Sequence, residues 1–130
     1  MKKRRSLYIT LFFSVVIALS SCFHDHDMSI SINDDDDVYR MTATFERDQS
    51  GAVHRIINAH LHQHDMSFDQ GSVDTNVRLD DGTSFYIRTR PGRLKIKFDR
   101  SENTEESCKW LEEMCEEIKE ELARSDNDNY

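Results

Sequence analysis

"AVHRIINAHLHQ" (residues 52–63) alternates apolar and polar side chains over most of its length. Val53, Ile57, Ala59 and Leu61 fall on one side of a two-residue repeat; His54, Ile56, Asn58, His60 and His62 fall on the other. Successive side chains of an extended chain point to opposite faces, so the pattern predicts a half-buried strand. Arg55 breaks the inner set and is placed at a rim. The strand reading puts the histidines on a solvent face.

The neighbours fit the same scheme. "VYRMTATFE" (38–46) alternates strictly, with Tyr39, Met41, Ala43 and Phe45 inward and Arg40, Thr42, Thr44 and Glu46 outward. "RDQSG" turns the chain between the two. Three more strands are expected at 75–79, 84–90 and 93–98. "LDDGT" suits a three-residue loop, Asp80-Asp81-Gly82, which sets Val77 and Phe85 on one face. Pro91-Gly92 suits a two-residue connection. Arg90 then faces Arg93, Arg88 faces Lys95, and Tyr86 faces Lys97, while Ile87 meets Ile96 and Phe85 meets Phe98 on the other side.

"NTEESCKWLEEMCEEIKEELAR" is a helix: Cys108, Leu111, Cys115, Ile118 and Leu122 recur at spacings of three and four. Asn103 or Thr104 caps it. The stripe is shorter than three heptads, which favours packing on a sheet over a coiled coil. Cys108 and Cys115 are about 10.5 Å apart along the axis, too far to bridge, and read as buried thiols. The fold class expected is α+β: an antiparallel β-meander of about five strands, one face covered by the C-terminal amphipathic helix.

The N-terminus carries a different signal. Lys2, Lys3, Arg4 and Arg5 precede an apolar run from Leu7 to Leu19, and Leu19-Ser20-Ser21-Cys22 follows. The run is short of the 20 or so residues that span a bilayer. A basic start, a short apolar core and small residues make a secretory signal peptide. With its terminal cysteine the pattern resembles the lipobox of bacterial lipoproteins. That resemblance covers only residues 1–22. It implies cleavage before Cys22, acylation of its sulfur and usually of its new amine, and a place in the bacterial cell envelope, periplasmic or at the cell surface. Two or more acyl chains hold a protein stably on a membrane. The domain plan is thus a signal peptide (1–21), a lipidated acidic tether (22–37), one α+β domain (38–124) and a disordered tail (125–130). The tether reading of "FHDHDMSISINDDDD" stands beside another, since the alternation from Met28 to Ile32 is also that of a short strand. As a tether its fifteen residues reach about 50 Å.

Charge is unevenly placed. The chain has 17 Lys+Arg and 25 Asp+Glu. The leader takes four bases and no acids, leaving 13 bases against 25 acids, or −12. Residues 22–37 carry −6, residues 38–100 carry +2 and residues 101–130 carry −8. The basic excess gathers on one face of the last two strands: Arg88, Arg90, Arg93, Lys95 and Lys97, with Tyr86. Like charges directly opposed on neighbouring strands cost a few tenths of a kcal/mol per pair. Their concentration in an acidic chain points to an anionic partner: acidic lipid headgroups, a glycan, an acidic envelope protein, or the chain's own Asp34–Asp37 run. The plain alternative is a solvated face that keeps the sheet soluble. An exported, acidic chain with little aromatic interleaving is a poor nucleic-acid binder.

The second candidate site is the histidine row. On a strand, alternate residues are about 6.6 Å apart, so two neighbours of His60, His62 and His64 can share an ion and a third ligand must come from across the sheet. A five-residue loop at 47–51 sets Asp36 opposite His62 and Asp34 opposite His64. His60, His62, His64 and Asp36 therefore make a candidate Zn²⁺ constellation. They make equally a pH-responsive His–carboxylate surface. Arg78, expected beside His62, argues against a cation there. Catalytic motifs are missing. "DRSENTEESCKW" starts like a calcium loop but has Thr104 where Gly is needed and Trp110 where Glu is needed. There is no phosphate-binding glycine loop and no nucleophile elbow. The expectation is a non-enzymatic, membrane-anchored module with no cofactor, or Zn²⁺ under the metal reading.

Overall fold

Alternation in Val38–Thr44 is realised as expected: Tyr39, Met41 and Ala43 are buried while Thr42 and Thr44 are exposed. The computed structural model describes residues 28–69 and 71–127. Its elements are β1 (Ser29–Asp34), β2 (Val38–Thr44), α1 (Ser50–His62), β3 (Val73–Arg78), β4 (Ser84–Arg90), β5 (Arg93–Asp99) and α2 (Glu105–Asn127). The five strands form one antiparallel sheet in the order β1-β2-β5-β4-β3. Both helices lend their apolar sides to one core with the inward face of the sheet. The fold is α+β, with the C-terminal helix over one face of a five-stranded sheet.

The stretch 52–63 is the main correction: it is helix, not strand. Val53, Ile57 and Leu61 are buried, at one-turn spacing, and Ile56 is half-buried beside them. Ala59, inward on a strand, is exposed. A spacing of four satisfies both a repeat of 2 and a repeat of 3.6, so these three anchors fit either element. The residue that separates them is Ile56, three after Val53.

With no strand there, β2 takes different partners. β1 pairs with it on one side, Ser29 opposite Thr44 and Ile32 opposite Met41. β5 pairs on the other, Met41 opposite Ile96 and Thr42 opposite Lys95. The chain is therefore two antiparallel runs, β1-β2 and β3-β4-β5, joined by α1 and zipped together along β2 and β5. The tether expected over 22–37 loses residues 29–34 to β1, as the Met28–Ile32 alternation had allowed. Helix α2 runs on to Asn127, into the stretch expected as a disordered tail. The leader, Cys22 and residues 128–130 lie outside the described residues.

The turn chemistry places its hairpins where it should. Val77 opposes Phe85 across the Asp80–Gly82 loop. Arg90 opposes Arg93, Arg88 opposes Lys95, Ile87 opposes Ile96 and Tyr86 opposes Lys97. Gly92 sits at φ 78°, and a Cβ there would stand 2.8 Å from the Phe45 carbonyl oxygen, so glycine is required at that turn.

The core is layered. Tyr39 and Phe98 stack at 4.9 Å across β2 and β5, and Ile87, Leu94 and Ile96 of the sheet share one buried cluster with Leu111, Met114, Cys115 and Ile118 of α2. Each such side chain, fully buried, is worth about 1.5–3 kcal/mol. Thr104 caps α2, its Oγ1 accepting from Ser107 N–H at 3.0 Å. Asn103 does another job: it accepts from Ser84 N–H and donates to the carbonyls of Ser84 and Asp99, stitching the start of β4 to the end of β5.

Candidate functional site

The face of the sheet turned away from the helices is built by the outward set of each strand. Across the middle run Asn33, Arg40, Lys97, Tyr86 and Asn76. Beside them run Ser31, Thr42, Lys95, Arg88 and Asp74. The last row is Ser29, Thr44, Arg93 and Arg90. The six residues expected on this face, Tyr86, Arg88, Arg90, Arg93, Lys95 and Lys97, are all there. Arg40 joins them because β2, expected at the far edge of a meander, lies against β5. Arg78 stands opposite Ser84 on the same face and not beside His62.

Countercharge on the face is sparse. Asp74 accepts from the Tyr86 hydroxyl at 2.7 Å and lies 4.0 Å from Arg88 Nε. The hydrogen bond to Asp74 pushes the Tyr86 phenol above its ordinary value. Asp99, at the end of β5, is turned to its own loop, where Ser101 donates to it through both N–H and Oγ–H. Those two bonds hold its carboxyl below the usual carboxylate range. Arg40, Arg78, Arg90, Arg93, Lys95 and Lys97 pair with no acid among the described residues. A depression of about 220 Å³ lies at the Arg93 end, lined by Thr42, Thr44, Arg88, Arg90, Arg93 and Lys95.

The chain's own acidic run does not cover this face. Asp34 and Glu112 both take the Arg100 guanidinium. Asp35 curls back in the β1–β2 turn, its Oδ1 accepting from Asp37 N–H at 2.9 Å and Val38 N–H at 2.7 Å. Those bonds lower the Asp35 pKa. The opposite layer holds the negative charge: α2 carries nine Asp and Glu residues against three bases.

The histidine row is taken apart by the helix. His60 faces α2, with Nε2 2.7 Å from Glu117 Oε2. His64, just past α1, has Nδ1 2.6 Å from Asp80 Oδ1. Both rings meet Trp110 edge-on, at 5.8 and 5.3 Å. His62 is exposed and lines a cleft of about 730 Å³ with His54, Asn58, Arg90 and Pro91. Asp36 lies in the β1–β2 turn, at the sheet edge opposite the loop that holds Asp80. The set His60, His62, His64 and Asp36 is therefore not assembled, because strand geometry was its premise. In its place, His64, Asp80 and Asp81 bring three ligand atoms within 4.8 Å of one another. Sequence order hid that group. Its members come from the end of α1 and the β3–β4 loop, which only the tertiary fold joins.

Cys108 and Cys115 are buried and unbridged. Burial first, then Glu112 and Glu116, pushes the Cys115 thiol up to about 12. Burial likewise raises Cys108. No described helix is long and apolar enough to cross a membrane. Set against known proteins, the chain matches no family model, no curated protein and no solved structure.

Proposed function

We propose that the protein is a non-enzymatic binding or accessory module, anchored to the membrane outside the cytoplasm, that takes an anionic partner on the open face of its sheet. One observation carries the reading. In a mature chain of charge −12, six cations stand unpaired by any described residue on the single helix-free face. Like charges side by side on neighbouring strands work against the sheet, so their clustering is better explained by a partner than by folding. The lipobox resemblance at Leu19–Cys22 supports the anchor and a place in the bacterial envelope. Reversing Arg88, Arg93 and Lys95 to Glu should abolish salt-sensitive retention on heparin, on an acidic protein matrix and on anionic vesicles. Retention unchanged on every matrix would sink the proposal.

A second reading keeps a divalent cation such as Zn²⁺ but moves its ligands to His64, Asp80 and Asp81, whose convergence supports it. Calorimetry with zinc decides it: a saturable heat lost in His64→Ala favours the site, and equal weak heats in both proteins dismiss it.

A further inference from the structure

We propose that the anionic partner is the membrane itself: the open sheet face lies flat on the acidic headgroups of the bilayer that holds Cys22. This rests on the anchored-module reading above and names its ligand. Three placements carry it.

The first is reach. β1 begins at Ser29, so only six residues separate it from Cys22. Fully extended, six residues span about 20 Å, well under half of what a tether to residue 37 allows. A domain on so short a leash stays within about 20 Å of the surface, which keeps the local concentration of headgroups high. The second is the point of entry. Ser29 stands in the same cross-sheet row as Thr44, Arg93 and Arg90. The chain from the anchor therefore joins the sheet at its end richest in arginine. Strands lie about 4.8 Å apart, which puts Arg90 about 14 Å across the sheet from Ser29. The third is polarity. The sheet face is cationic, whereas the helix layer behind it carries the acids of α2. An anionic surface attracts the first and repels the second, so one orientation is selected. The charges need no closed pocket: headgroups form a plane, and the site is an open array of cations with two open depressions, of about 480 and 220 Å³.

The test uses the full acylated chain, reconstituted in vesicles of phosphatidylcholine alone or with about a third phosphatidylglycerol. A nitroxide is placed at Thr42→Cys on the sheet face or at Glu113→Cys on α2, both exposed positions. Its access to a water-soluble relaxant is then read by paramagnetic resonance. The proposal expects the Thr42 label to be shielded on anionic vesicles only, and the Glu113 label to be open on both. It also expects Arg93→Glu with Lys95→Glu to re-expose the Thr42 label. Each cation lost at low salt weakens the docked state about fivefold. A Thr42 label open on both vesicles overturns it. If heparin binding still falls in the charge variants, the cationic-face reading survives that failure; if it does not, both readings fall. Shielding on both vesicles that grows with protein density overturns the proposal in favour of contact between copies. A mass showing Cys22 without acyl chains overturns it too.

Discussion

Arg88 on β4 stands directly opposite Lys95 on β5, two cations side by side on the open face of the sheet. Among the described residues their one countercharge is Asp74, 4.0 Å from Arg88 and already accepting from Tyr86. Opposed like charges destabilise a strand pair, and threonine is a better strand former than lysine. Lys95→Thr should therefore raise stability by a few tenths of a kcal/mol while weakening salt-sensitive binding to heparin. Urea midpoints and salt elution read the two effects. A less stable variant with unchanged binding would contradict the assignment of this face.

Leu61 and Ala59 separate helix from strand. Leu61 is fully buried and Ala59 is exposed. Leu61→Ala should cost about 2–5 kcal/mol, and Ala59→Gln should change stability by less than about 0.5 kcal/mol. A strand at 52–63 would bury both residues, and denaturant melts would then show two large losses.

That pair also shows where the fold was legible. The β4–β5 hairpin was readable because Pro91-Gly92 sets its register, and the register puts Ile87 and Ile96 together. Helix α2 was readable because its apolar spacings alternate between three and four, which no strand can satisfy. Helix α1 was not, because its buried anchors recur every four residues. That one misreading moved the sheet partner of β2, set Arg40 strands away from the other cations of its face and created a histidine row that does not exist. Arg88, Arg93 and Lys95 survived because their placement depends only on the hairpin.

Buried thiols should be silent. With the Cys115 pKa at about 12, roughly one part in ten thousand is thiolate at pH 8. Ellman's reagent should leave Cys108 and Cys115 unlabelled in the folded protein over minutes and label both in urea. Fast labelling without denaturant would mean that the α2 face is not seated on the sheet.

Acid should loosen two turns. Asp35 accepts from two backbone N–H groups, and Asp81 accepts from Thr83 N–H at 2.9 Å, with the Thr83 side chain also lowering its pKa. Both carboxyls are held below their ordinary 3.8 in the fold. A depressed folded pKa gives stability that is complete above the unfolded value and is lost as pH falls through the folded one. The thermal midpoint should fall from about pH 4 downward, and the fall should be shallower in Asp35→Asn and Asp81→Asn. Parallel curves for wild type and variants would remove these turns as the cause.

The order β1-β2-β5-β4-β3 sets when the domain can close. β2 has no inner neighbour until β5 arrives, and the seat of α1 is half missing until then. A chain emerging N-terminus first therefore exposes β1, β2 and α1 with nothing to complete them before Asp99 appears. Contacts between segments so far apart form slowly. The topology delays folding until nearly the whole chain is present, a delay that the export proposed above would require of a chain threaded unfolded through a pore.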